Sequence, residues 1–551
     1  MKIVLETIIE RCLKEKVKAE KELSAIKRWA SKKFKISPPA NIELIKVYHK
    51  LLKKGRAQND KNFERLLRKR KVRSLSGVAV VSVLTKPYPC PGKCIYCPEE
   101  KGIPKSYLSG EPAVERAKKL NFDPYSQVKK RIDSLREQGH PTDKIELRII
   151  GGSFSVYPDD YKTWFLKNCF AAANEKLKKK ISSLKEEQKI NEKVKHRIVG
   201  VSIETRPDLI NKKEIKTLRE LGVTMVELGV QTVFDKILEK CQRNHGTQET
   251  AQATKLLKDA GFKVMYQMML SLPGSTPKKD SEAFRIIFQN QEFKPDWLKI
   301  YPCLVCKGTR LYQLWEEGAY HPYSNDTLIN LLINIKINLP FWVRVARIFR
   351  DIPAQKIEAG SKISNLREVI LEEMKKRNKR CYCIRCREVK ENYDPKEKIY
   401  FFREDYNASD GKEIFLSFEN KNRTKLFSFL RLRIPSYTLR LRPSPTVVGF
   451  GRRRSEGKPS QKYFLPVLKN SAIIREIHTY GELVPIAKKE VAPQHQGLGK
   501  KLVKEAEKIT KKEFGLTKIA VISGIGARDY WRKLDYKLKE TYMLKQLTTE
   551  N

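Results

Sequence analysis

The sequence predicts a multidomain α/β protein, on three observations. From about residue 76 to 370, short β-branched runs alternate with amphipathic helical stretches, the pattern of a parallel sheet with crossover helices that closes wholly or partly into a barrel. The segment before it is basic and helix-forming. The segment after it changes to antiparallel-looking strands, then a glycine-rich loop that opens a helix. The expected domains are a basic helical region (1–75), a partial (β/α) barrel carrying a small zinc site (76–395) and a second α/β domain (396–551).

Residues 1–75 read as two helical segments separated at Ser37-Pro38-Pro39. Residues 1–74 hold 23 Lys/Arg against 8 Asp/Glu and end in the basic run Arg65–Arg73. The whole chain carries a formal charge of +49, and a polycation of this size calls for a polyanionic partner, usually nucleic acid. Trp29, Phe34, Tyr48 and Phe63 are interleaved with the basic residues and are expected to stack on unpaired RNA bases. No apolar run is long enough to cross a bilayer, and Met1-Lys2-Ile3-Val4-Leu5-Glu6 is charged too early for a signal peptide, so a cytoplasmic protein without membrane contact is expected. The eleven cysteines cluster at metal-ligand spacings, which fits a reducing compartment.

The barrel segment begins with an apolar run, Val78–Leu84, followed by Cys90-Pro91-Gly92-Lys93-Cys94-Ile95-Tyr96-Cys97. Three thiolates at C-x3-C-x2-C spacing can hold three irons of a [4Fe–4S] cluster and leave the fourth open. An open iron can chelate the amino and carboxylate groups of S-adenosylmethionine, whose reductive cleavage gives a 5′-deoxyadenosyl radical. A structural zinc would need a fourth N/S ligand, and none follows nearby. Further strands are expected at Glu146–Ile150, Ile198–Ile203, Met225–Val230 and Val264–Met268, and polar or glycine residues follow several of them. Gly151-Gly152 would let the backbone approach the methionine end of the cofactor. Glu204, Arg206 and Gln231 occupy the same strand-end position, where a β/α barrel places its chemistry. The charged stretch Glu175–Arg197 is expected to be a solvated surface excursion. Cys381, Cys383 and Cys386, at C-x-C-x2-C spacing, suit a structural Zn2+ whose fourth ligand is open among Cys241, Cys303, Cys306 and several histidines.

In the last domain, strands are expected at Glu413–Phe418 and Leu426–Ile434. Gln494-His495-Gln496-Gly497-Leu498-Gly499-Lys500 then precedes a helix, Leu502–Phe514. Free N–H groups at a helix start, reinforced by the helix dipole, cradle a pyrophosphate, and Q-x-x-G-x-G is a coenzyme A pattern. A strand at Lys518–Ile522 and a helix from near Arg528 complete the order of a GNAT acyltransferase domain.

Together these features resemble the catalytic subunit of Elongator and its stand-alone archaeal and bacterial relatives. The resemblance rests on Lys86–Pro98 around the cysteines, Ile203–Asp208, Val226–Gln231, Arg350-Asp351-Ile352-Pro353, Tyr480–Pro485 and Ile519–Gly524. It implies a radical S-adenosylmethionine barrel fused to a GNAT domain that modifies the wobble uridine of tRNA. In that family a radical removes hydrogen from the methyl of acetyl-CoA, the carbon adds to uridine C5, and thioester hydrolysis leaves 5-carboxymethyluridine. The implied partners are a tRNA anticodon stem-loop and an electron donor, in a homodimer or a larger complex. Carried over by motif, Cys90, Cys94 and Cys97 hold the cluster and Lys144 meets acetyl-CoA in the radical domain. Glu476, Ile477, His478 and Thr479, with Leu498, Gly499 and Lys500, meet it in the acyltransferase domain. Tyr530-Trp531 matches a Tyr-Tyr pair, with Tyr530 in the catalytic set and Trp531 at the acetyl-CoA contact. The chain departs from the family pattern at Tyr88, Glu99-Glu100, Gln267 and Asp535. The competing reading is direct acetylation of a protein or histone lysine, with Glu476 or Tyr530 as base and a structural or regulatory iron–sulfur domain.

Overall fold

The computed structural model describes residues 1–68, 77–389, 394, 397–439, 464–481 and 497–547. The expected basic run 69–73 and Gln494 lie outside the described residues.

The N-terminal region has four helices, Lys2–Lys14, Glu20–Phe34, Asn41–Lys53 and Lys61–Leu67, so each predicted segment is a helix pair. They share a core of their own that includes Ile8, Ile9, Leu23, Leu44, Leu51, Tyr48 and Phe63. This corrects the reading of the aromatics. Tyr48 and Phe63 are fully buried, with ring centroids 5.3 Å apart edge to face, and cannot stack on bases. Trp29 is half-buried, with the Arg11 guanidinium 4.1 Å above its ring.

Seven strands follow: β1 Ala79–Leu84, β2 Lys144–Ile150, β3 Arg197–Thr205, β4 Met225–Gln231, β5 Lys263–Leu270, β6 Trp297–Pro302 and β7 Arg344–Arg347. All pair in parallel and in sequence order, so the outer strands β1 and β7 do not meet and the sheet is a half-barrel with one open side. Period-two alternation sorts the two faces of β2. Ile145, Leu147 and Ile149 pack into the main core beneath the helices, whereas Lys144, Glu146, Arg148 and Ile150 stay partly exposed on the inner face.

The second domain is a seven-stranded mixed sheet: β8 Tyr400–Ala408, β9 Gly411–Glu419, β10 Leu426–Ile434, β11 Ser471–Thr479, β12 Lys518–Val521, β13 Lys537–Lys539 and β14 Tyr542–Gln546. Its order is β13-β14-β12-β11-β10-β9-β8, with only the β11–β12 pair parallel. The helix expected at Leu502–Phe514 begins four residues earlier, at Leu498, and buries Leu502, Val503, Ala506 and Ile509 against this sheet.

The two domains are joined tightly. The second sheet packs on the N-terminal ends of the barrel strands, opposite the cysteine loop. Backbones touch there: a Cβ on Gly524 would fall 2.1 Å from the Val199 carbonyl oxygen, and one on Gly261 would fall 2.9 Å from Ile473. A buried ion layer crosses the seam. Arg475 forks onto Asp296, with Nη1 to Oδ2 at 2.9 Å and Nη2 to Oδ1 at 2.5 Å, and also reaches Glu413 at 3.1 Å. Arg433 pairs with Asp259 at 2.6 Å, and Lys258 lies 3.4 Å from Asp296. Burial alone would raise the pKa of Asp296, but Arg475, Lys258 and Arg431 outweigh it and hold the carboxyl ionised well below the usual range.

The stretch Glu175–Arg197, expected to be a solvated excursion, is instead a strut between the domains. Within it the helix Leu184–Asn191 buries Glu187 and Asn191 completely. Glu187 accepts from Asn174 at 2.8 Å and pairs with Lys176 at 3.0 Å. Glu192 pairs across the seam with Arg528 at 3.0 Å and Arg532 at 2.7 Å. Two of its acids, Glu187 and Glu192, are buried and satisfied by protein, while Lys178, Lys179, Lys180, Lys185, Lys189, Lys193 and Lys195 face water as expected.

Removing one partner of a buried pair strands the other charge, at a cost of about 3–5 kcal/mol. Asp296→Ala should therefore lower unfolding stability by about that much in urea titrations followed by tryptophan fluorescence; a change under about 1 kcal/mol would show that the ion layer carries no such stability. Because the Asp296 carboxyl is more acidic folded than unfolded, its stabilisation is present above the unfolded value of about 4 and fades as pH falls below it.

Candidate active site

The loop after β1 carries the three cysteines to the C-terminal mouth of the half-barrel, where Cys90, Cys94 and Cys97 line one cavity of about 700 Å3. Two arginines back the loop. Arg243 donates from Nη1 to Cys94 Sγ at 3.2 Å and also reaches the Gly229 carbonyl. Arg206 donates to the Arg243 carbonyl at 2.7 Å and pairs with Asp208 at 3.0 Å. A Cβ on Gly92 would fall 2.4 Å from an Arg206 guanidinium nitrogen, so the loop needs glycine there. Burial, and then Cys94, push the Cys97 thiol up to about 12. Buried sulfurs of this kind ionise only beside strong positive charge, which suits them to a metal cluster rather than to acting as free nucleophiles.

The remaining cofactor candidates line the same cavity. Gly151 (φ +130°) and Gly152 (φ +93°) form the turn after β2, and a Cβ on Gly151 would fall 2.1 Å from Thr85 Oγ1. Glu204 accepts from Tyr107 Oη at 2.8 Å, Lys299 Nζ at 3.0 Å and Gln267 Nε2 at 3.1 Å. Burial would raise its pKa, but Lys299 and Tyr107 bring it below the ordinary value. Lys299 also pairs with Glu227. Gln267, one of the departures from the family pattern, bonds both carboxylates of this tier, reaching Glu227 at 3.3 Å. Gln231 is held at φ +71° at the end of β4. Glu99-Glu100, another departure, pins the cysteine loop: Glu99 lies 3.5 Å from Lys105, and Glu100 pairs with Lys356 at 2.9 Å and accepts from the Ser109 amide.

The acetyl-CoA candidates gather elsewhere. Gly497 (φ +67°) precedes the helix whose first turn is Leu498-Gly499-Lys500. A Cβ on Gly499 would meet Tyr530 Oη at 3.3 Å, Thr479 Oγ1 at 3.4 Å and Ile477 at 3.7 Å, so these residues converge. Thr479 Oγ1 lies 2.8 Å from Ser428 Oγ, and the His478 and Tyr480 rings are 4.3 Å apart. Tyr530 is exposed, but Trp531 is only 3% exposed and packs on Tyr536 in the apolar core, which corrects its expected ligand contact. Glu476 lies in the seam, paired with Arg431 at 2.8 Å and 3.8 Å from Lys263. Lys144 begins β2, six residues before the strand end that leads into Gly151, about 20 Å along an extended strand. Burial lowers the pKa of its ammonium.

Sequence comparison adds family to geometry. The radical SAM superfamily model matches residues 88–285, and the radical SAM C-terminal domain model matches 295–376. The chain is 44% identical to the tRNA uridine(34) acetyltransferase of Methanocaldococcus infernus over 99% of both chains, and 36% identical to human Elongator complex protein 3 over 87% of this chain and 86% of that one. The chain belongs to the Elongator complex protein 3 family. A solved structure of the family, the archaeal Methanocaldococcus infernus Elp3 with residues 1–46 deleted, superposes with a TM-score of 0.70 at 42% identity, covering 86% of this chain and all of that one. The radical SAM half-barrel is therefore both observed and shared with the family, and that family fold implies a [4Fe–4S] cluster and S-adenosylmethionine.

The second cysteine group is compact. The sulfurs of Cys381, Cys383 and Cys386 all lie within 4.8 Å of one another, and Lys336, fully buried, places Nζ 3.8 Å from Cys386 Sγ. Cys241 and Cys303 pack in one separate apolar cluster and Cys306 in another, so none is the fourth ligand. Among the described residues no His, Cys, Asp or Glu joins the three. Several residues of the main cavity escaped the sequence reading, notably Tyr107, Arg243 and Lys299, which bear no motif and lie 10, 149 and 202 residues from Cys97, Cys94 and Cys97 respectively.

Gly151→Ala should reduce S-adenosylmethionine cleavage by about tenfold or more, because the methyl must displace Thr85 and the φ favours glycine. Iron content should stay at the parent level. Normal 5′-deoxyadenosine yield by chromatography would remove Gly151 from the site.

Proposed function

We propose that the chain converts the wobble uridine of tRNA to 5-carboxymethyluridine, using acetyl-CoA as the carbon source. The observation that carries this reading is the coexistence, on one locked frame, of a three-cysteine cavity and an acyltransferase cradle. The naming of the archaeal relatives as tRNA uridine(34) acetyltransferases supports the choice of substrate. When bound at Cys90, Cys94 and Cys97, a [4Fe–4S] cluster with S-adenosylmethionine supplies a radical able to take hydrogen from the acetyl methyl group.

The chain's own residues hold and orient. Arg243 donates to Cys94 and steadies one cluster sulfur. Gly151-Gly152 leaves room for the amino acid end of the cofactor. Glu204, kept ionised by Lys299 and Tyr107, offers a fixed acceptor on the cavity wall. Gly499, Tyr530 and Thr479 enclose the acyl-CoA cradle, with the free N–H groups at the start of the Leu498–Lys512 helix facing a pyrophosphate. On this reading the acetyl methyl carbon, having given up one hydrogen atom, would bond to uridine C5, the C5 hydrogen would leave as a proton, the one electron released would return to the oxidised cluster, and water would cleave the thioester to release coenzyme A. Direct lysine acetylation is less well served, because Glu476 is committed to Arg431 and Lys263. The cysteine trio 381, 383 and 386 holds a structural Zn2+ on the same reading, which its mutual sulfur distances support.

Anaerobic incubation of reconstituted protein with unmodified tRNA, S-adenosylmethionine, reductant and methyl-labelled acetyl-CoA should place the label in 5-carboxymethyluridine, read by mass spectrometry. A Cys94→Ala control should give none. Label appearing only on protein lysines would overturn the reading. Elemental analysis should find about one zinc per chain beside the iron, lost in Cys383→Ala; equal zinc in both would remove the trio as its site.

A further inference from the structure

The main cavity is strongly basic: ten Lys/Arg against four Asp/Glu line it. Most of its cations are committed. Arg148 pairs with Glu146, Lys299 with Glu204 and Glu227, Arg347 with Asp351, and Arg206 with Asp208. Two lining guanidiniums stand apart. Arg367 donates to the Val345 carbonyl at 2.9 Å and Arg385 donates to the next carbonyl, that of Ala346. Among the described residues neither has a carboxylate in ion-pair contact, and the nearby Glu388 is taken by Arg344 at 2.7 Å.

Both arginines are therefore steered by the same edge strand, β7, with donors to spare. Arg385 is half-buried. Two lining guanidiniums tied to successive carbonyls, with no carboxylate in ion-pair contact among the described residues, mark a place that gains from an anion. The position narrows the anion. β7 is one lip of the half-barrel's open side, on the cysteine end, whereas the acyl-CoA cradle and its helix start lie with the second domain at the other end. A macromolecule that inserts a base into the cavity must bring its backbone past this lip.

We propose that Arg367 and Arg385 form a phosphate clamp that grips the RNA backbone at the nucleotide entering the cavity. The clamp rests on the proposed tRNA function and specifies how the substrate is held. Each guanidinium keeps one N–H on its carbonyl and turns others to the phosphate oxygens, so the pair recognises backbone rather than sequence. The turn bearing Cys381, Cys383 and Cys386 sets Arg385, because Ile384–Arg387 is a single helical turn that starts after Cys383 and contains Cys386.

The test is a chemical cycle on the full-length protein. Anticodon stem-loop RNAs carrying one neutral methylphosphonate at successive backbone positions of the loop are bound by the parent protein and by Arg367→Gln/Arg385→Gln. A single methylphosphonate beside the wobble nucleotide should weaken parent binding about tenfold. The double variant should show a similar loss with ordinary RNA, no further loss with that methylphosphonate, and a salt dependence shallower by about 0.7 in logarithmic slope for one lost phosphate contact. Additive losses would overturn the clamp and leave the arginines as caps for the β7 carbonyls. So would a parent protein indifferent to every single methylphosphonate, an arm that needs no variant to fold. Reduced acetyl-CoA affinity in the double variant, with RNA affinity intact, would reassign the pair to a coenzyme phosphate. Failure of the function itself reads differently: the parent would bind no RNA at all.

Discussion

Asp296 is the point on which the two domains turn. It sits just before β6 at the closed end of the half-barrel, fully buried, and takes Arg475 as a fork, with Lys258 at 3.4 Å and Arg431 at 3.7 Å. Charges taken out of water repay their desolvation only in close, fully bonded geometry. A small slide of the second sheet would leave several of them unpaired, so the layer selects one docking of β10 and β11 against the starts of β5 and β6. The glycine contacts at Gly261 and Gly524 then let the backbones close over it. That docking sends the cysteine loop and the acyl-CoA cradle to opposite ends of the barrel.

What lies between the ends is filled. Just inside the closed end, Met225, Met265, Trp297 and Ala346 form a small apolar plug. Above it comes a polar tier: Glu146 with Arg148, then Glu227, Lys299, Glu204 and Gln267 in one bonded chain. A β/α barrel core is usually packed with branched aliphatics. Here the inner face is spent on fixed charges, which shape the floor of a cavity whose remaining opening is the gap between β1 and β7.

The sequence made the local features legible. Strand runs, the C-x3-C-x2-C loop, Gly151-Gly152 and the order of the last domain all depend on neighbours a few residues apart, and the structure shows them within one or two residues at most ends. The Leu498–Lys512 helix began earlier than read because Gly497, at φ +67°, supplies the turn into it. Tertiary partners were not legible. Arg243 reaches Cys94 across 149 residues, and Glu192 reaches Arg528 across 336. Burial was misjudged for the same reason. The Glu175–Arg197 stretch looks solvated only until its partners are seen, and Tyr48, Phe63 and Trp531 were read as available for ligand contact although each completes a local core.

The 381–386 turn shows how a short motif can act at a distance from its own site. Arg385 and Arg387 are two residues apart on one helical turn and so diverge. Arg385 runs to the Ala346 carbonyl and the cavity, while Arg387 is buried and bonds the Phe341 and Tyr382 carbonyls and Glu419 of the second sheet. A turn held by three sulfurs thus ties one lip of the cavity to the domain that carries the acyl-CoA cradle. Any change in the turn is felt by both. The turn fixes two long, flexible cations in opposite directions, one toward the cavity and one toward the second sheet.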